Sequence, residues 1–166
     1  SDKLVAYVFF PFDYSANENH ASIVIFHGGG WSMGEPSWGF VHAQKYAKLG
    51  LVSIAVQYRL SDENTITPID AMEDAKDFFI WIRENTKLLK TNNDKIAAFG
   101  WSAGAHLIAS AAVFPAYGSD SVITSIPNAL ILQSPALSIV NDMWFKKLLL
   151  NKGNPIDFSP AENIVG

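Results

Sequence analysis

The sequence contains no cysteine, which excludes disulfides, thiolate nucleophiles and cysteine-ligated zinc from its chemistry. Positive charge is also scarce: 12 Lys and Arg against 16 Asp and Glu leave a net charge of −4 and a pI near 5.4. Without a basic field to displace counterions from phosphates, nucleic acid is not an expected partner. Long apolar runs are missing. Stretches such as 23–26 and 129–132 fall far short of the roughly 18 residues that a bilayer span requires, so no membrane partner is expected and the chain reads as soluble. Residues 1–10 lack the charged start, apolar middle and small-residue cleavage site of a secretory signal. What the chain does have is core material. Hydrophobic residues make up 49% and aromatics 13%, against 17% charged, and no repeat or low-complexity linker interrupts them, so a single globular domain is expected.

Turn-rich clusters at 15–20, 61–67, 91–94 and 118–128 punctuate the chain. Residues 4–10 (LVAYVFF) and 22–26 (SIVIF) are β-branched and aromatic and flank a polar stretch, which predicts neighbouring strands. Residues 51–57, 95–99 and 129–133 are short apolar runs of the kind found in strands buried on both faces of a parallel sheet. Between these lie helical patterns. One spans 37–49, with Ser37 as N-cap and Gly50 as its stop. A second follows Thr67 and Pro68, with Ala71, Ala75, Phe78, Phe79 and Ile82 opposite Glu73, Asp77 and Glu84. A third opens at Ser102 and runs through Leu107, Ile108 and Ala111. The alternation predicts an α/β doubly wound architecture: a mostly parallel sheet with helices on both faces.

Two motifs carry chemistry. The run 95–99 leads directly into Gly100-Trp101-Ser102-Ala103-Gly104 and an Ala-rich helix. A G-x-S-x-G placed between a strand and a helix puts its serine on a sharp, strained turn, where bulkier flanking residues would collide with the neighbouring elements. By itself the pattern also suits a glycine-rich turn without catalytic role. The second motif is His27-Gly28-Gly29-Gly30-Trp31, after the 22–26 run. Consecutive glycines let backbone N–H groups converge on one point, as an oxyanion requires. A phosphate cradle is disfavoured because there is no G-x-x-x-x-G-K-[ST] and no lysine between Lys3 and Lys45.

The pair HGGGW and GWSAG, with Tyr58-Arg59-Leu60 after the next strand and Ala105-His106-Leu107 behind the serine turn, resembles the hormone-sensitive-lipase-like esterases of the α/β-hydrolase fold. Within that group the acetyl esterase and feruloyl/acetylxylan esterase branch is most similar. The resemblance implies a three-layer α/β-hydrolase fold and a serine carboxylesterase for short, acetyl-like acyl esters, working through an acyl-serine intermediate without metal or organic cofactor. It implies Ser102 as nucleophile and an oxyanion hole from the Gly28, Gly29 and Gly30 loop, chiefly Gly29 and Gly30, together with Ala103. Trp31, Trp101 and Trp38 are expected to crowd the nucleophile, Trp31 and Trp101 as substrate-binding residues. Met143, Trp144 and Phe145 fall in 135–158, where a cap insertion is expected. Arg59 and Asp74 are expected to be structural.

The rest of a catalytic triad does not follow. This fold orders it Ser, then Asp or Glu, then His, yet the one histidine after Ser102 is His106, a single helical turn on. Its side chain should lean into packing. His27 is expected to stiffen its own loop, and His20 and His42 to be solvated. Asp120, Asp142, Asp157 and Glu162 are not expected to supply the acid. The chain therefore reads as the N-terminal part of one α/β-hydrolase domain, without the C-terminal strands. Its expected partners are a small-molecule ester and the remaining C-terminal segment or a second chain. The alternatives are an acetylxylan or feruloyl esterase acting on plant polysaccharide, and a non-catalytic ligand-binding protein of the same fold.

Overall fold

The computed structural model describes residues 3–15, 19–116 and 123–164; Asp120 and parts of the turns expected at 15–20 and 118–128 lie outside them. Among the described residues the strands β1 (Ala6–Phe9), β2 (His20–Phe26), β3 (Val52–Val56), β4 (Thr91–Trp101) and β5 (Ala129–Gln133) form one sheet in the order β1-β3-β2-β4-β5. β2 to β5 run parallel, and β1 lies antiparallel on β3. The expected adjacency of the first two strands is therefore wrong, because β3 stands between them. Burial explains why: residues 22–26 of β2 are wholly buried and need a partner on each side, whereas half-buried β1 suits an edge.

Alternation along β2 separates two apolar layers. Ile23 and Ile25 join Ala43 of α1 (Phe40–Lys48) and Phe99 on one face. Val24 and Phe26 meet Ala71, Met72, Ala75, Phe79 and Ile82 of α2 (Pro68–Glu84) and Leu107, Ile108 and Ala111 of α4 (Ala103–Val113) on the other. Helices thus cover both faces, as the sequence predicts, and each buried aliphatic or Phe side chain contributes about 1.5–3 kcal/mol. Short α3 (Thr86–Leu89) follows α2, and α5 (Met143–Leu148) and α6 (Pro160–Asn163) follow β5.

Some boundaries differ from those expected. The helix predicted over 37–49 starts as a 3-10 turn, Pro36–Gly39, and Ser37 donates its hydroxyl to Glu35 instead of capping. Thr67 and Pro68 do open α2, where the Asp70 carboxylate accepts from the Thr67 N–H at 2.8 Å. The run 129–133, expected to be buried on both faces, is mostly exposed: Ile131 shows 42% of its surface, because β5 pairs with β4 alone among the described residues. Residues 135–158 are tied into the body through Ile139, Phe145, Leu148 and Leu149, all buried in the main core.

Arg59 and Asp74 form a structural pair. Asp74, largely buried, accepts from the Arg59 backbone N–H at 2.7 Å and from its Nε at 2.9 Å, while Arg59 Nη1 reaches Asp70 at 3.0 Å. These bonds staple the chain after β3 to α2.

Candidate active site

Parallel pairing brings the two motifs together. Phe26 and Gly100 are register partners at the C-terminal ends of β2 and β4, so the loop beginning at His27 and the turn at Ser102 leave the same end of the sheet side by side. Their backbones touch. A Cβ at Gly104 would sit 2.3 Å from Phe26 O and 2.4 Å from His27 O, and one at Gly100 would sit 2.7 Å from Gly104 C and O. Glycine at 100 and 104 is thus what allows β4, α4 and the glycine loop to close on one another.

Ser102 occupies φ 51°, ψ −121°, between the end of β4 and the first residue of α4. A non-glycine residue there stores about 1–3 kcal/mol of backbone strain. Its N–H donates to Gln133 O at 3.0 Å and its carbonyl accepts from His106 N–H at 3.1 Å. Ser102 is exposed to solvent. The Ala103 N–H, first in α4, belongs to the helix-terminal donors that have no intrahelical acceptor.

The glycine loop is pinned carbonyl by carbonyl. His27 Nδ1–H donates to Gly28 O at 2.7 Å, and the N–H groups of Ser32 and Met33 donate to Gly29 O at 3.2 and 3.1 Å. In a trans peptide the C=O and the following N–H point in opposite directions. Holding the Gly28 and Gly29 carbonyls therefore restrains the N–H directions of Gly29 and Gly30. Gly29 adopts φ 127°, and a Cβ there would meet Met33 O at 2.0 Å, so no other residue fits.

The histidines are occupied elsewhere. His27 is buried, stacks on Tyr58 at 4.4 Å, and has its pKa lowered by burial. The Tyr58 hydroxyl donates to His27 O at 2.9 Å, and burial raises its pKa. His106 is wholly buried: Nδ1 accepts from Trp31 Nε1 at 3.2 Å and Nε2–H donates to Phe158 O at 2.9 Å. Burial pushes its pKa down to about 4, so it is neutral. His20 and His42 are not simply solvated as expected. His20 Nε2 bonds with Ser15 O at 3.0 Å while its ring stacks on Tyr14, and His42 packs on Phe99 and Trp101. The acids are also engaged: Asp142 caps α5 through Trp144 and Phe145 N–H, Asp157 accepts from Asn154 N–H, and Glu162 accepts from Ser138.

Trp31 corrects an expectation. It is 3% exposed, with its indole against His106 and Phe145, so it is core and not a pocket wall. Its φ of 62° turns the side chain inward despite its place beside the glycines. Trp101 lies alongside Gly28, with its ring on the α1 side of the sheet near Phe99 and His42. Trp38 meets His27 edge-on. Sequence reasoning missed the anchoring by Tyr58 and Trp144, whose N–H and O–H groups reach carbonyls far along the chain.

The BD-FAE family model matches residues 10–123. The chain belongs to the BD-FAE family. Esterase 2 of Thermogutta terrifontis, in a structure phosphonylated by sarin, superposes with a TM-score of 0.87 at 30% identity, covering 97% of this chain and 63% of that one. Its butyrate-bound form gives 0.85 at 30% identity, with 98% and 63% covered. An arylesterase of Saccharolobus solfataricus is 26% identical over 141 residues, 84% of this chain and 45% of the relative. A probable isoprenylcysteine alpha-carbonyl methylesterase of Oryza sativa subsp. japonica is 31% identical over 84 residues, 51% of this chain and 20% of the relative. The fold of this BD-FAE chain is that of the α/β-hydrolase esterases. It spans less than half of the arylesterase and under two thirds of the Thermogutta esterase.

Proposed function

We propose that this BD-FAE chain carries the nucleophile and oxyanion hole of a serine carboxylesterase. The observation that carries the reading is the strained, exposed Ser102 beside a glycine loop whose N–H directions are restrained. Ser102 Oγ attacks the ester carbonyl, its proton passing to a base, while the carbonyl oxygen takes up negative charge facing the N–H groups of Gly29, Gly30 and Ala103, with Gly28 completing the loop. Each such donor is worth about 2.7–4 kcal/mol in the transition state. The C–O bond then breaks, the alcohol leaves with a proton, and water hydrolyses acyl-Ser102. The four histidines are held by the partners described above, so base and acid are proposed to come from outside these 166 residues, in the same protein or a second chain. No step calls for a metal or organic cofactor.

A short acyl group is the proposed substrate class. With Trp31 in the core, support for this comes from the related Thermogutta esterase, which has been captured with butyrate and with propionate. An acetylated plant polysaccharide would present such a group to the same site, whereas a feruloylated one would present a bulkier aromatic acyl group. A non-catalytic binding protein is favoured by the histidines' engagement but leaves the strain at Ser102 without a use. A fluorophosphonate probe applied to the protein carrying this chain decides: labelling is expected at Ser102 and lost in Ser102→Ala, with acetyl and butyryl esters turned over faster than those of about ten carbons. Labelling that survives Ser102→Ala would remove the assignment.

A further inference from the structure

The carbonyls of Gly28 and Gly29 are held from within the loop, but that of Gly30 is held from another element. Trp144, the second residue of α5, donates its indole N–H to Gly30 O at 3.0 Å. Its ring lies against the Gly30 backbone, since a Cβ there would come within 3.3 Å of Trp144 Nε1. The next residue, Phe145, packs edge-on against Trp31 at 4.9 Å and against His106 at 5.4 Å. Two successive α5 side chains therefore grip two successive loop residues, one from the surface and one from the core. Trp144 is itself braced: Lys147 Nζ sits 5.2 Å from the ring centroid while ion-pairing with Glu63 at 2.8 Å. Glu63 stands on a rigid turn, where the Asp62 carboxylate gathers the N–H groups of Asn64, Thr65 and Ile66.

We propose that Trp144 is a positioning residue for the oxyanion hole: by holding the Gly30–Trp31 peptide through the Gly30 carbonyl, it keeps the neighbouring Gly29–Gly30 peptide, which carries the Gly30 N–H, from swinging about the two free backbone bonds of Gly30 beside Ser102. The inference rests on the esterase reading. Gly30 sits at φ 56° and, as glycine, rotates freely about both backbone bonds unless its two peptides are fixed. Ser32 and Met33 fix the preceding peptide and the Trp144 indole fixes the following one. Trp144 is 43% exposed, so the bond contributes little to the core. Its effect falls on the direction of one donor.

Trp144→Phe keeps an aromatic ring, though a smaller one, and removes the donor, and it can be made in the protein that carries this chain. For p-nitrophenyl acetate, kcat is expected to fall about 10-fold with KM changed less than about twofold, less than loss of a whole oxyanion donor would cost. The Gly30 amide order parameter should drop from about 0.85 towards 0.6 or below, with the unfolding midpoint unchanged. Trp81→Phe, on the exposed side of α2, should alter none of these. An unchanged Gly30 order parameter in Trp144→Phe overturns the proposal whether or not activity falls, and so does a raised KM with kcat retained, which would make Trp144 a substrate contact. If the unsubstituted protein hydrolyses no ester, the esterase reading fails, and the Gly30 amide still decides whether Trp144 holds the loop.

Discussion

At His106 one side chain joins three parts of the molecule: α4, the glycine loop through Trp31, and the 3-10 turn Pro155–Phe158 through the Phe158 carbonyl. Accepting at Nδ1 and donating at Nε2 requires the neutral ring. Its pKa falls from 6.5 to about 4 on burial, so the unfolded chain binds the proton first as pH drops. Stability from this group is complete above about pH 6.5 and is lost on acidification towards pH 4, by about 3 kcal/mol. Burial of His27 acts in the same direction. Urea unfolding followed from pH 7.5 to 4 is expected to show that decline, and His106→Gln to flatten it while lowering stability at pH 7.5 by about 1–3 kcal/mol. A slope unaltered in His106→Gln would contradict the neutral ring. That His106 turns into the packing was legible from its spacing after Ser102. Its partners were not, because Phe158 approaches only after β5 and α5 have folded back. Trp31 misled for a related reason: adjacency to glycines does not reveal which way a positive φ turns the side chain.

The β4–α4 junction shows what sequence pattern carries at the level of elements. A strand-forming run, G-x-S-x-G and an Ala-rich stretch define strand, turn and helix without reference to the rest of the chain, and the structure follows them at the junction, although β4 begins at Thr91 and takes in the turn expected at 91–94. Gly104→Ala tests why. The added methyl would meet the Phe26 and His27 carbonyls, backbone atoms that cannot move without shifting β2, so destabilisation of at least ~2 kcal/mol is expected in urea titration. Tolerance of alanine there would mean that α4 does not pack as described. Strand order was less legible. Nothing local distinguishes β1 beside β2 from β1 beside β3; the choice falls to whichever arrangement covers both sides of fully buried β2. Likewise the apolar composition of 129–133 resembles that of an interior strand, although exposure depends on neighbours the run does not encode.

For the whole molecule the β5 margin is the exposed feature. Ala129, Leu130 and Ile131 lie open on a strand with one free edge among the described residues, the kind of surface that recruits another chain. The 166-residue chain alone is expected to self-associate with rising concentration in sedimentation velocity, and Ile131→Lys to shift it towards monomer; a monomeric parent chain would show that something covers this margin. The pairing of β2 with β4 has a different consequence. The glycine loop and Ser102 lie far apart in sequence, with β3 and α2 folded between them, and they meet only when that long loop closes. No fragment shorter than the stretch from β2 to α4 holds both, so the probe labelling expected at Ser102 would act as a clock for folding: it would start only when the centre of the sheet has assembled, and stop with the first opening that parts β2 from β4.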